Sequence, residues 1–166
     1  MFKSITKILF LFLIIYSSNV FAKINTKQIN SINMVVEKYI TAYENRDYNA
    51  IVSLYAPNAL AIGTGNAEVI QGRAEMEIAL KRDFSESTKS QITMKKIRID
   101  IKNDIAIASY YLTVNVKVRD SAPFKSVLRL TLGLVKENNK WVIIQSHLSA
   151  PLDEQKNNTS FPKLKT

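Results

Sequence analysis

The stretch SVLRLTLGLVKENNKWVIIQSHLS, residues 126–149, alternates apolar and polar side chains on either side of a polar break. Period-two alternation is the signature of strands, so Ser126–Val135 and Trp141–Ser149 read as an antiparallel pair joined at Glu137-Asn138-Asn139-Lys140. On the first strand Leu128, Leu130, Leu132 and Leu134 share a face, and Arg129, Thr131 and Gly133 share the other. Unbroken alternation on the second places Trp141, Ile143, Gln145, His147 and Ser149 together, against Val142, Ile144, Ser146 and Leu148. Matching like with like gathers Arg129, Thr131, Gln145, His147 and Ser149 on one face. Periodicity leaves open whether that face lines a pocket or meets water, because a one-residue change of register reverses the answer.

Upstream, two more strands precede this pair. Ile97, Ile99 and Ile101 alternate with charged residues, while Ile92 and Met94 have the opposite parity, so a bulge is expected near Lys95-Lys96. Asn103-Asp104 forms the turn into a long strand from Ile105 to about Arg119, whose parity slips near Ser109-Tyr110. Asp120 to Pro123 is a loop. The first half of the chain has a different period. Ile29, Ile32, Val36, Tyr39, Ile40 and Tyr43 recur at helical steps. Asp47 caps a second, short helix with Ile51, Leu54 and Tyr55 on its apolar face, stopped by Pro57. Leu60–Ile62 and Glu68–Ile70 read as short strands around Gly63–Asn66. Arg73 to about Phe84 reads as a third helix buried through Met76, Ala79, Leu80 and Phe84, followed by a polar loop, Ser85–Ser90. Helices segregated before a meandering sheet indicate an α+β fold rather than a parallel α/β one.

The residues Arg129-x-Thr131, a hairpin, then Trp141-x-Ile143-x-x-x-His147-x-Ser149 resemble the nuclear transport factor 2-like superfamily, in its SnoaL-like branch, which includes the association domain of calcium/calmodulin-dependent kinase II. Tyr43 with Asp47, and Gly72-Arg73 before the third helix, fit the same pattern, and the resemblance spans about Ile29 to Pro151. It implies a cone, a strongly curved, mostly antiparallel sheet wrapped on three helices from the N-terminal half (cystatin-like). The mouth of such a cone is often a pocket, and its sheet often forms a dimer. Members include isomerases, dehydratases, cyclases and oligomerisation modules, so the fold alone does not name an activity.

Within that frame Tyr39, Tyr43, Arg129, Gln145 and His147 are the candidate ligand-binding residues, and His147 the candidate catalytic one. His147 is the only histidine, and its imidazole titrates near neutrality, which suits a general acid or base as well as a structural hydrogen-bonding role. Arg129 could hold a carboxylate or phosphate bidentately, or pair with a nearby acid. The tyrosines could present hydroxyls to the pocket or pack as core rings. A carboxylate base on the inner sheet face is not visible: Asp100 shares the charged face of its strand, Asp104, Asp120 and Glu137 lie in turns, Asp47 is a cap, and only Glu68 is unassigned. With one histidine and no cysteine, neither a metal site nor a bound cofactor is expected.

The N-terminus reads as an export signal. Lys3 and Lys7 precede the apolar run Ile8–Tyr16, a polar break follows, and Val20-Phe21-Ala22 offers a cleavage site. The run is far shorter than the roughly 20 residues of a spanning helix, so no stable membrane anchor is expected after cleavage. The expected organisation is a signal peptide over 1–22, one domain over 23–150 and a flexible polar tail over 151–166. The tail contains Asn-x-Ser/Thr sequences at Asn157 and Asn158. The formal net charge of +9 is carried mainly by scattered lysines, which export further separates from a nucleic-acid role. The expectation is an exported, periplasmic or secreted, non-catalytic module that binds a small, anionic molecule and forms a homodimer. The alternatives are a His147-assisted isomerase, dehydratase or cyclase, and an envelope protein-interaction or immunity factor.

Overall fold

The structure, a computed structural model, describes residues 26–151 apart from positions 66 and 120. The expected signal segment, the tail beyond Pro151 and its two acceptor sequences lie outside the described residues. The chain divides into two compact units, Met1–Met34 and Val35–Thr166. In the first, residues 26–34 are helical, with Ile32 fully buried. The second opens with helical residues 35–44 (α1).

Arg46 ends α1 in the left-handed region, at φ 60°, and Asp47 caps α2, Tyr48–Ser53, by accepting a hydrogen bond from the Ala50 N–H at 2.9 Å. The expected cap is therefore present, but the helix is shorter than its apolar spacing implied. Tyr55 already belongs to β1, Tyr55–Ile62, and Pro57 lies within that strand rather than stopping a helix. Proline is tolerated where a strand is irregular, and β1 shifts register between Tyr55 and Leu60. After β2, Val69–Gln71, Gly72 takes φ +75°, and a Cβ built there would stand 3.0 Å from the Pro57 carbonyl oxygen, so a side chain is excluded on two counts. Arg73 then donates from Nε and Nη2 to the Tyr55 carbonyl, at 2.8 and 2.6 Å. The Gly-Arg pair thus ties the start of α3, Gly72–Glu86, to the start of β1.

The remaining strands are β3, Ser87–Lys102, β4, Ile105–Val118, β5, Phe124–Glu137, and β6, Lys140–Ser149. They form one six-stranded sheet in the order β2-β1-β6-β5-β4-β3. Only the β1–β6 contact is parallel. The α+β class and the mostly antiparallel, bulged and curved sheet agree with the reading of the sequence.

Three local expectations are corrected. Ser85–Ser90 is not a loop: α3 runs to Glu86 and β3 starts at Ser87, whose hydroxyl donates to the Asp83 carbonyl at 2.8 Å. The polar residues there pair with β4, and Ser87 and Ser90 are buried. No parity slip occurs in β4. Ala106, Ala108, Tyr110, Leu112 and Val114 are all buried, while Ile105 and Ile107 are 59% and 56% exposed. Register, not the apolarity of single side chains, decides the inner face. The third correction decides the site. Leu134 pairs with Ile143 and Gly133 with Gln145, so Ile144 bulges out of β6. The bulge resets the alternation: Trp141 and Ile143 are inward before it, and Ser146 and Leu148 are inward after it.

Candidate functional site

The inner face of β4–β6, together with α1 and α3, encloses a cavity of about 580 Å³. That is the size range of small-molecule sites. Its wall is mostly aliphatic, with Ile51, Met76, Leu80, Leu112, Val114 and Leu130 among the lining residues. Three tyrosines enter it. Tyr39 and Tyr43 lie one helical turn apart on α1 and stack at 6.1 Å between centroids, and Tyr43 meets the edge of Phe84 at 5.1 Å. Tyr55 donates to the Ser146 hydroxyl at 3.2 Å, so the bulge that turns Ser146 inward also supplies the partner for a buried phenol.

Among the described residues, the charged groups that line the cavity are all acidic: Glu68 from the β1–β2 turn, and Asp83 and Glu86 from α3. Arg82 braces two of them from the rim, donating from Nη2 to Glu68 at 3.0 Å and to Asp83 at 3.1 Å. Burial pushes the Asp83 carboxyl above its ordinary range, and the Arg82 guanidinium only partly opposes this. Burial likewise lifts Tyr39 well above the usual phenol value and Tyr43 to about 12, with Asp83 and Glu68 adding to both. The tyrosines are therefore neutral hydroxyls at any physiological pH, able to donate one hydrogen bond each. Glu68 is held in place by its own turn as well, its other oxygen accepting from the Gly65 N–H at 3.1 Å.

Of the residues expected at the site, Tyr39 and Tyr43 line the cavity. Arg129, Gln145 and His147 do not. The expected register is right, with Arg129 opposite Ser149, Thr131 opposite His147 and Gly133 opposite Gln145. But Arg129, Thr131, Gln145 and His147 are exposed, on the sheet face away from the cavity. The Ile144 bulge separates Trp141 and Ile143, which are buried, from Gln145 and His147, which a regular strand would have kept with them. The cavity residues that sequence reasoning missed are Asp83, Glu86, Tyr55 and Ser146. Asp83 carried a legible signal: it falls on the helical stripe Met76, Ala79, Leu80, Phe84, a carboxylate on an otherwise buried face.

Residues 32–153 match the family model of the SnoaL-like domain. The chain belongs to that family, within the nuclear transport factor 2-like superfamily. A ketosteroid isomerase-like protein from Erwinia carotovora atroseptica has the same fold at 16% identity and a TM-score of 0.65, over 74% of this chain and 95% of the other. A nuclear transport factor 2-like protein of unknown function from Pseudomonas putida matches at 20% identity and a TM-score of 0.64, over 85% and 98%. A candidate calcium/calmodulin-dependent protein kinase II association domain from Xanthomonas campestris matches at 20% identity and a TM-score of 0.61, over 74% and 86%. No curated protein matches the chain. At these identities the three structures share the fold, and the cavity chemistry has to be read from this chain's own residues.

Proposed function

We propose that this SnoaL-like protein is exported and binds one small, largely apolar molecule through a hydroxyl or amine that meets Asp83, Glu68, Tyr39 and Tyr43. The observation that carries this is the sign of the lining among the described residues: carboxylates, phenols and serine hydroxyls with aliphatic walls, and no lysine, arginine or histidine. An anionic ligand, which Arg129 would have suited, would meet like charge among these carboxylates. A donor or a cation would satisfy carboxylate oxygens that are otherwise partly stripped of water. Thermal midpoints measured with matched amphiphiles, one amine, one alcohol and one carboxylate on the same apolar body, test the reading. The amine and alcohol should raise the midpoint, and Asp83→Asn should abolish the amine's effect. A shift with the carboxylate alone, or with none of the three, would sink it.

A second reading is supported by the position of Asp83. A carboxyl raised by burial, beside neutral phenols in the cavity, is suited to proton transfer. In this form the protein is a small isomerase- or dehydratase-like enzyme whose acid or base is Asp83, and His147, on the outer face, has no path to the substrate. With any compound that proves to be turned over, Asp83→Asn should lower kcat while His147→Ala leaves it unchanged. The reverse result would reject this version.

Export rests on Lys3, Lys7 and the Ile8–Tyr16 run. Cell fractionation with N-terminal sequencing, expected to begin at Lys23, tests it. A homodimer through the outer sheet face gains support from the exposed Ile105, Ile107 and Tyr111, but the cations of that face oppose a symmetric pairing.

A further inference from the structure

The two faces of the sheet carry opposite charge. The cavity side presents acids. On the outer side, the paired registers place Lys89 opposite Lys117, Lys125 in the next outward row, Lys95 and Arg129 on either side of Tyr111, and Lys102 opposite Ile105. Among the described residues the acids of that face are Asp100, opposite Ile107 and bound to Arg98 at 2.6 Å, and Glu137 at the hairpin end of β5. The other cations have no ion-pair partner among the described residues. Lys89 and Lys117 stand directly opposite each other. Directly opposed like charges destabilise a sheet by up to about 1 kcal/mol relative to neutral pairs. Interspersed with these charges are apolar side chains that point the same way: Ile105 at 59%, Ile107 at 56%, Tyr111 at 43% and Val127 at 45% exposed.

From this arrangement we propose that the outer face of β3–β5 docks on an anionic phospholipid surface. Single charges spread over a strand face, without converging on one point, are a poor receptor for a small anion or a single peptide. They fit an extended array of negative head groups. Most of its cations are lysines, which act as point charges and do not require bidentate geometry. Each lysine or arginine held near such a surface contributes about 1 kcal/mol, and the interspersed isoleucines, valine and tyrosine suit the head-group boundary. Charge segregation would also orient the molecule, with the acidic cavity side turned away from the lipid. This is peripheral adsorption, distinct from a spanning anchor: no helix among the described residues is long and apolar enough to cross a membrane.

The test is co-sedimentation of the full-length chain with vesicles of phosphatidylglycerol and phosphatidylcholine, and with phosphatidylcholine alone. Wild type is compared with the combined variant Lys95→Glu, Lys102→Glu, Lys117→Glu, Lys125→Glu. Residues 1–22 are identical in both, so any lipid affinity of that segment cancels. Partition onto the anionic vesicles should fall at least about tenfold in the variant. It should also fall for wild type as salt is raised from about 0.05 to 0.5 M. On neutral vesicles the two proteins should not differ. The corresponding four Lys→Gln changes carry the same expectation if the charge-reversed chain does not fold. Equal partition of variant and wild type on anionic vesicles would overturn the proposal, as would a difference between them that is equally large on neutral ones. So would a wild-type dimer in light scattering that the neutralising changes strengthen, since that makes a second copy the occupant.

Discussion

Asp83 and Tyr55 show what a single position does here. Asp83 sits in the buried stripe of α3, and its carboxyl is raised above the ordinary carboxylate value near 3.8. A raised acid holds its proton more tightly in the folded chain than in the unfolded one. Its presence is therefore least costly below pH of about 4, and stability declines as pH rises through the folded value. Asp83→Asn should remove that decline. The variant should match wild type in acid and exceed it at pH 7 by less than about 1 kcal/mol, because water reaches part of the side chain and screens it. Thermal midpoints of both chains across that range check the sign. Tyr55→Phe is the complementary case. It leaves the buried Ser146 hydroxyl without its 3.2 Å partner and should cost about 1 kcal/mol in urea unfolding. Asp83 was legible as a polar intruder in an apolar helical stripe. Tyr55 was not, because its spacing from Ile51 is that of a helix, and only pairing with Ile143 makes it a strand residue.

At the level of elements, the β6 bulge governs what the cavity contains. Ile144 is the extra residue opposite the Gly133–Leu134 step, so its removal joins Ile143 to Gln145 with the inward and outward sets unchanged. Deleting Ile144 should therefore leave a cooperatively unfolding protein with native circular dichroism. Deleting Leu132, in a regular part of β5, should not, because every later residue of that strand would turn to the wrong face. If both deletions behave alike, the bulge does not set the parity. The bulge in β3 was visible in the sequence because apolar residues change parity across it, and the structure places the shift between Lys96 and Arg98. The β6 bulge left no such mark. Isoleucines at 143 and 144 and polar residues from 145 onward are consistent with either face. The second hairpin, in contrast, was fixed locally: Asn138 and Asn139 both take positive φ, 48° and 63°, which asparagine tolerates and the two-residue turn requires.

For the whole molecule, the cavity is the property that no element holds alone. Its wall is drawn from α1, α3 and both ends of the sheet, so filling it should uncouple binding from folding. Val116→Phe, at a position on that wall, should keep or modestly raise the thermal midpoint, by less than about 2 kcal/mol of added burial, while eliminating any ligand-induced shift. A persisting shift would place the ligand elsewhere. The same view explains why the net charge of +9 misleads if taken as a single quantity. The sheet divides it, with cations outside and carboxylates lining the cavity, and the two faces are suited to different partners.

The sequence by itself determined the class of fold, most helix and strand positions, the Asp47 cap, the hairpin turns and the family, because these depend on local chemistry and on periods of 3.6 and 2. Only the tertiary structure decided which sheet face is the inside. On β6 that choice rests on one extra residue, whose effect on the following side chains is set by pairing with β5 rather than by its own character. The bulge turned Gln145 and His147 outward and Ser146 inward, the alternation of β5 set Arg129 outward, and Asp83, Glu86 and Glu68 are the charged groups a ligand would meet.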